Sequence, residues 1–324
     1  MQRTRVGVLR GGPSSEYEVS LKTGSAVLAA LSEERYEVRD IFIDKAGKWH
    51  LFGKPITPER ALRQVDVVFN ALHGEYGEDG QVQRVMDRLG VRYTGSGVLA
   101  SAYGMHKLRA KEYARRAGIP TARHVVIPVS LDISRAFREV HSAFSPPWVV
   151  KPIRGGSSVG VALAWTPIEF QNAVREAFEF SSTVFVEEYI SGREATVGVL
   201  EGFREEEYYT MLPIEIVPPK KKKFFDYEAK YTGISEERCP GEFTQKEKEQ
   251  LQIFARAIHQ ALDARHYSRS DFIIHPKRGI YFLEINILPG LTKESLVPKA
   301  MQVAGCEFPE LVEHLIGLAQ KKRT

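Results

Sequence analysis

Two rhythms of apolar residues alternate along the first third of the chain. Val6–Leu9 reads as a short strand running into Gly11-Gly12-Pro13-Ser14-Ser15, and Val19, Thr23, Ala26, Val27, Ala30 and Leu31 then share one helical stripe. Ser15 and Glu18 are spaced as a capping box for that helix. Further strands are predicted at Val38–Ile43 and Val65–Asn70, the latter ending in the polar, glycine-rich stretch Ala71–Gly80. A helix over Gln81–Leu89, a strand at Val91–Tyr93 and the turn Thr94-Gly95-Ser96-Gly97 complete the unit. Strands alternating with helices predict an α/β domain built on a doubly wound parallel sheet.

The pattern changes after a helix predicted over Met105–Ala117, which Gly118-Ile119-Pro120 stops. Trp148–Lys151 and Val161–Ala164 read as strands flanking a glycine-rich loop that holds Ser157 and Ser158. A strand–glycine loop–strand is not the P-loop, which needs Gly-Lys-Ser/Thr entering a helix. Its backbone N–H groups can still close over phosphates, with Lys151 adding charge from the strand below. Pro167–Phe178 is helical, and Val184–Ile190 is a strand ending at Ser191-Gly192, with Glu187 and Glu194 on either side of that turn. The Lys220–Lys223 run reads as a solvated loop leading into Phe224–Tyr231, whose aromatic content without periodicity suits a lid that excludes water. Thr244 and Glu247 are spaced to cap a helix carrying Leu251, Phe254, Ala255, Ile258 and Leu262, and helices at Leu296–Ala304 and Pro309–Lys321 close the pattern.

Between these helices Asp271–His275 and Ile280–Asn286 form a predicted hairpin around Pro276-Lys277-Arg278-Gly279. With His275 facing Ile280, Asp271 falls opposite Glu284, and Asn286 and Arg269 point to the same face. Like charges directly opposite are destabilising, so the pair calls for a cation. Two carboxylates and an amide oxygen suit Mg²⁺ that also meets substrate phosphates. Ile273 and Phe282 are expected on this face too, leaving it partly covered. Near the start of the chain, Glu16 sits at a helix mouth after a glycine turn, where it complements the helix dipole or meets a ligand. His73 is either a satisfied loop histidine or a second contact there.

A length of 324 residues allows two domains or three small ones, and 43% hydrophobic and 27% charged residues are ordinary for a soluble globular protein. The formal net charge of +4 permits an anionic ligand without demanding nucleic acid. Cys239 and Cys306 are too few for a disulfide framework, and no apolar run reaches the length of a membrane span. A cytoplasmic protein is expected, with no nucleic-acid or membrane partner.

In this order the pieces resemble the D-alanine–D-alanine ligases of the ATP-grasp superfamily, over nearly the whole chain. The matching motifs are Gly11-Gly12 with Glu16–Ser20, Leu72-His73-Gly74 with Gly77–Gly80, Tyr93–Gly97, Val150–Pro152 with Gly156–Gly160, Asp226–Tyr231, Glu284–Asn286 with Pro289-Gly290, and Ser295–Pro298. The resemblance implies an N-terminal α/β domain at 1–103 on the first-substrate side. An ATP-grasp fold of α+β type follows, in a central part at 104–190 and a C-terminal part at 191–324. It implies an ADP-forming ligase that makes D-alanyl-D-alanine for peptidoglycan through an acyl phosphate, with ATP, two Mg²⁺ ions (or Mn²⁺) and a homodimeric assembly.

By position, Glu16 resembles the anchor of the first D-alanine, with His73 beside it. Asp271, Glu284 and Asn286 resemble the metal ligands, and Lys107, Lys151 and Lys230 the phosphate cations. Arg269 and the Gly290 N–H resemble the oxyanion pair, and Ser295 and Leu296 the site of the second carboxylate. Ser157 and Tyr231 resemble the hydrogen-bonded set that closes the lid on Glu16, and Ser158 belongs to the phosphate loop. Glu187, Glu188, Ile190 and Glu194 fall at the adenine and ribose. Departures from the family pattern are His106 for Asp, Glu188 for Lys, Ser270 for an aliphatic residue, Ile287 for Thr and Leu291 for Met, together with the Lys220–Lys223 run. Two other readings are a ligase using D-lactate, D-serine or another amino acid, and an inactive ATP-binding regulator.

Overall fold

Short apolar strands with a cover of helices on both faces build the first layer of the molecule. The computed structural model describes residues 3–153, 160–218 and 236–321. Its first part runs β1 (Thr4–Gly11), α1 (Tyr17–Ala30), β2 (Tyr36–Ile43), β3 (Trp49–Leu51), β4 (Lys54–Pro55), α2 (Pro58–Leu62), β5 (Val67–Asn70), α3 (Gln81–Arg88) and β6 (Arg92–Tyr93). The sheet order is β4-β3-β2-β1-β5-β6. Strands β2, β1, β5 and β6 are parallel, as the alternating pattern predicts. The sheet is nevertheless mixed, because β3 and β4 extend its edge as an antiparallel hairpin. These strands are too short to show an alternation in the sequence; Trp49 and Leu51 join the sheet by burying against Ile41 and Ile43. Val6 and Val8 enter one core and Leu9 the other, so β1 is apolar on both faces.

Helix α1 begins at Tyr17 with Glu16 as its N-cap and no side-chain cap bond, so the expected Ser15–Glu18 box does not form. Ser14 replaces it one position earlier: its Oγ accepts from the Glu16 N–H at 3.1 Å and donates to the His73 carbonyl at 2.6 Å. The single helix expected over Met105–Ala117 is also two, α4 (Val98–Met105) and α5 (Lys107–Arg116). His106 separates them in an extended conformation, and its Nδ1 accepts from the Arg109 N–H that starts α5.

The second layer comprises β7 (His124–Pro128), α6 (Ile133–Ala143), β8 (Trp148–Pro152), β9 (Ala162–Ala164), α7 (Pro167–Phe178) and β10 (Thr183–Glu188). Its antiparallel sheet, in the order β7-β10-β8-β9, packs on α6 and α7 through Trp148, Phe170, Val174 and Val186. Thr166 and Glu169 form the capping box that starts α7, with Pro167 in the first turn.

The third layer holds β11 (Arg193–Phe203), β12 (Glu206–Thr210), β13 (Ile214–Val217), β14 (Glu236–Arg238), α8 (Gln245–Ala261), β15 (Tyr267–His275), β16 (Gly279–Asn286), α9 (Leu296–Val303) and α10 (Phe308–Gln320). The sheet runs β14-β13-β11-β15-β16, with β12 paired to β11. The Thr244–Glu247 box forms and starts α8 as its spacing predicts. One face of this sheet, with Val197, Phe272, Phe282 and Ile285, is covered by α8 and by α5. Helix α10 turns back to the first sheet, where Leu311, Leu315 and Ile316 share a core with Val6, Val67 and Phe69.

Candidate active site

The turn of the β15–β16 hairpin starts the strands one residue away from the expected register. His275 pairs with Gly279, Ile274 with Ile280 and Phe272 with Phe282. A bulge between Asp271 and Phe272 then leaves Leu283 without an opposite residue, after which Asp271 faces Glu284 and Arg269 faces Asn286. An extra residue in one strand flips the alternation beyond it. The expected pairing of the carboxylates is therefore present, while Phe282 is not on their face. It lies on the helix-covered side, edge-on to Phe272 with ring centroids 6.0 Å apart.

Asp271 is held from several sides. Arg269 donates from Nε to Oδ1 and from Nη2 to Oδ2, both at 2.9 Å. Thr196, opposite Asp271 on β11, donates from Oγ1 to Oδ1 at 2.5 Å, and Asn286 Nδ2 lies 3.4 Å from Oδ2. Glu194, two residues before Thr196, points to the same face beside Ile273. Backbone pairing brings two carboxylates and an amide, Asp271, Glu284 and Asn286, to one edge of the sheet, a donor set whose chemistry fits a hard divalent cation. Behind them Ser270 is fully buried, and its hydroxyl has no hydrogen-bond partner among the described residues.

Between this sheet and the central one stands a buried row of three charges. Glu187 on β10 is 2% exposed, with Oε1 2.6 Å from Lys111 Nζ and Oε2 2.8 Å from Lys151 Nζ. Burial pushes its carboxyl up, but the two lysines outweigh that and hold it at about 2. Burial lowers the Lys111 ammonium below the usual lysine range, against the pull of Glu187. Sequence reasoning placed Glu187 at the nucleotide and missed Lys111, one helical turn after Lys107. Among its other contacts, Lys107 gives its backbone N–H to the Ile153 carbonyl at 3.3 Å, joining the start of α5 to the central sheet. Glu188 faces elsewhere: it accepts from Arg123 Nη2 at 3.1 Å and Arg278 Nη1 at 3.3 Å. These two arginines account for an acidic residue at a position where the resembling family has lysine.

At the first sheet, His73 is buried, with Nε2 sharing a hydrogen bond with Thr23 Oγ1 at 2.9 Å and Nδ1 lying 3.2 Å from Glu78 Oε1. The Gly74 N–H donates to the same Glu78 oxygen at 3.0 Å. Glu16, His73 and Glu78 bring a donor atom each to within 4.8 Å of one another. Across the cleft, the Thr292 N–H donates to Ser295 Oγ at 3.0 Å, and a side chain at Gly290 would begin 3.0 Å from that same oxygen. Ser295 thus starts α9 without a side-chain cap bond, and Leu296 is the first helical residue. Ile190 is buried just after β10. Ile287 packs onto Gly104, where an added Cβ would lie 2.8 Å from its Cγ2. Ser157, Ser158, Lys230 and Tyr231, the Lys220–Lys223 run and the Phe224–Tyr231 stretch lie outside the described residues.

Comparison with known proteins agrees over the whole chain. Profiles described as D-ala D-ala ligase N-terminus and D-ala D-ala ligase C-terminus match residues 5–61 and 51–96, and residues 113–317, respectively. A D-alanine--D-alanine ligase of Geobacter sulfurreducens is 38% identical over 99% of this chain and 96% of its own length. The crystal structure of VanG D-Ala:D-Ser ligase from Enterococcus faecalis superposes with a TM-score of 0.87 at 30% identity, covering 98% of this chain and 100% of that one. D-alanine--D-alanine ligase from Bacillus anthracis, complexed with ATP, gives 0.79 at 30% identity over 98% and 97% of the two chains. No helix among the described residues is long and apolar enough to cross a membrane.

Proposed function

Because the chain belongs to the D-alanine–D-alanine ligase family, we propose that it joins two D-alanines into D-alanyl-D-alanine, cleaving ATP to ADP, as a step toward peptidoglycan. The observation that carries this reading is the Asp271–Glu284 pair beside Arg269 and Asn286. Carboxylates opposed at a sheet edge are poor design for stability and good design for a phosphate site.

In the first step a carboxylate oxygen of one D-alanine attacks the γ-phosphorus as the bond to the ADP oxygen breaks. Both reactants are anionic, so cations must line their approach. Lys107, Lys151 and Lys230 take that role, and Lys151 is aimed by Glu187 at 2.8 Å. Asp271, Glu284 and Asn286 would hold two Mg²⁺ ions, with Mn²⁺ as a substitute, which supply positive charge to the phosphate oxygens when bound. Ser157 and Ser158 serve the phosphate loop. Glu188, turned to its arginines, serves the nucleotide edge as a support. Ile190 offers the base an apolar wall, and Glu194 faces the ribose.

In the second step the neutral amine of another D-alanine attacks the acyl-phosphate carbonyl, inorganic phosphate leaves with its bonding pair, and the nitrogen gives up one proton to the departing phosphate. The oxyanion formed on the way needs donors already in place. Arg269, oriented by Asp271, and the Gly290 N–H are those donors. The first ammonium sits on Glu16 with His73 alongside, and the second carboxylate at Ser295 and Leu296, where the start of α9 favours an anion. Tyr231 closes the lid on Ser157 and Glu16. A cytoplasmic homodimer goes with this reading; light scattering tests the assembly.

Mass spectrometry of products from D-alanine, D-serine and D-lactate with Mg-ATP tests the proposal. D-alanyl-D-alanine with stoichiometric ADP supports it. ATP binding without ADP release, whatever the acceptor, would overturn it in favour of a regulatory ATP-binding protein.

A further inference from the structure

We propose that Lys111 is a positioning residue for the phosphoryl-transfer site, tying the lysine on the central sheet to the bulged strand that carries Glu284. The proposal rests on the reading of Lys151 as a phosphate contact. Lysine is almost never fully buried unless paired, and Lys111 is 1% exposed. Its ammonium makes two connections. It lies 2.6 Å from Glu187 Oε1, while the other oxygen of that carboxylate holds Lys151 at 2.8 Å. It also makes a long contact, 3.5 Å, with the Phe282 carbonyl at the bulge. The Phe282 N–H is taken from the same side by the Pro120 carbonyl at 2.8 Å, just beyond α5. Helix α5 and its exit therefore hold the backbone where the register shift sets Glu284 opposite Asp271, and Glu284 adds its own attraction to the Lys111 ammonium.

A purely structural role explains this poorly. Burying a lysine–carboxylate–lysine row in place of apolar side chains is generally neutral or unfavourable for stability. What the row does provide is geometry. Lys151 cannot swing without leaving Glu187, and Glu187 is itself fixed by a cation that has no route to solvent. The row carries one excess positive charge, and its less buried end is Lys151, 17% exposed against 1% for Lys111. Lys111 thus acts on the nucleotide and on the metal carboxylate without touching either.

The test uses the full chain with Lys111→Met, which keeps the stem and removes the charge. ATP affinity, measured by calorimetry without the amino acid, should fall at least about tenfold. The Mg²⁺ concentration for half-maximal turnover should rise, while the KM for D-alanine at the first site stays within about twofold. A folded variant with ATP affinity within twofold of wild type would overturn the proposal, as would losses in all three constants together. Glu187→Gln keeps the shape of the row and is the second variant. It should weaken ATP binding yet leave the Mg²⁺ requirement in place, and unchanged ATP affinity there also counts against the proposal. Wild-type protein that binds no ATP would instead sink the underlying functional reading.

Discussion

Asp271 stands directly opposite Glu284 only because the ladder between their strands slips by one residue at Phe272. Without the bulge, an unbroken alternation from the His275–Gly279 pair would bring Leu283 opposite Asp271. The two carboxylates repel across the sheet; Arg269 and Thr196 hold Asp271 against that repulsion, and the buried Lys111 ammonium attracts Glu284.

Glu284→Gln is therefore expected to lower turnover by at least about a hundredfold at limiting Mg²⁺. The metal-free protein should lose little stability, because relief of the repulsion from Asp271 offsets the lost attraction to Lys111. Steady-state assays over a Mg²⁺ series and a urea titration without metal read both. Turnover near wild type at limiting Mg²⁺ would refute the assignment.

Ser270 offers a gain. Its buried hydroxyl lacks a partner among the described residues and lies at a position where the resembling family carries an aliphatic residue. Ser270→Ala removes the hydroxyl without adding volume and should stabilise the protein by ~1 kcal/mol. The urea midpoint should rise with an unchanged slope, and a fall in the midpoint would show that the hydroxyl is satisfied after all.

A pH dependence follows from His266. Burial lowers its imidazole to about 4, against the pull of Glu201, and Nδ1 accepts the Gly95 N–H at 3.0 Å, which requires that nitrogen to be unprotonated. An unfolded histidine titrates near 6.5, so between 6.5 and about 4 the unfolded chain binds the proton and the native one does not. Stability is complete above 6.5 and falls as the pH drops toward 4, by up to ~3 kcal/mol from this group. His266→Asn, which tolerates the positive φ of 65° at this position, should flatten that slope. Equal slopes for the two proteins in thermal melts would dismiss the effect.

The choice of second substrate rests on sequence chemistry. A tyrosine hydroxyl is uncharged at neutral pH, so Tyr231 puts no cation beside an incoming amine. D-alanine should outcompete D-lactate from pH 6 to pH 9, and Tyr231→His should shift product toward the ester at the acid end. D-alanyl-D-lactate as the main product of the unaltered protein would reject this.

The two strands of the hairpin were legible because a two-residue period runs on either side of the turn residues Pro276–Gly279, though not its register or the face of Phe282, and the Thr244–Glu247 box was legible because its partners are local. The bulge was not: nothing in Tyr281-Phe282-Leu283 distinguishes a residue to be skipped. Nothing in the sequence separates Lys111 from the other cations of its charged helix, since strands far away in sequence bury it. Trp49–Leu51 and His106 show the same limit, with short elements whose form is settled by what they pack against.

Helix α10 completes, beside α1, the cover on one face of the first sheet. Leu311, Leu315 and Ile316 fill the space over Val6, Val67 and Phe69, Glu313 pairs with Arg35, and Arg92 Nη1 donates to the Gln320 carbonyl at 2.7 Å. A ribosome makes this sheet well before that cover. Helix α1 covers β1 early, but through most of the synthesis the apolar face of β5 must wait, open to chaperones or to aggregation, until some two hundred further residues have emerged. Substitutions in α10 should accordingly lower the yield of folded protein in cells more than they lower the stability of what has folded.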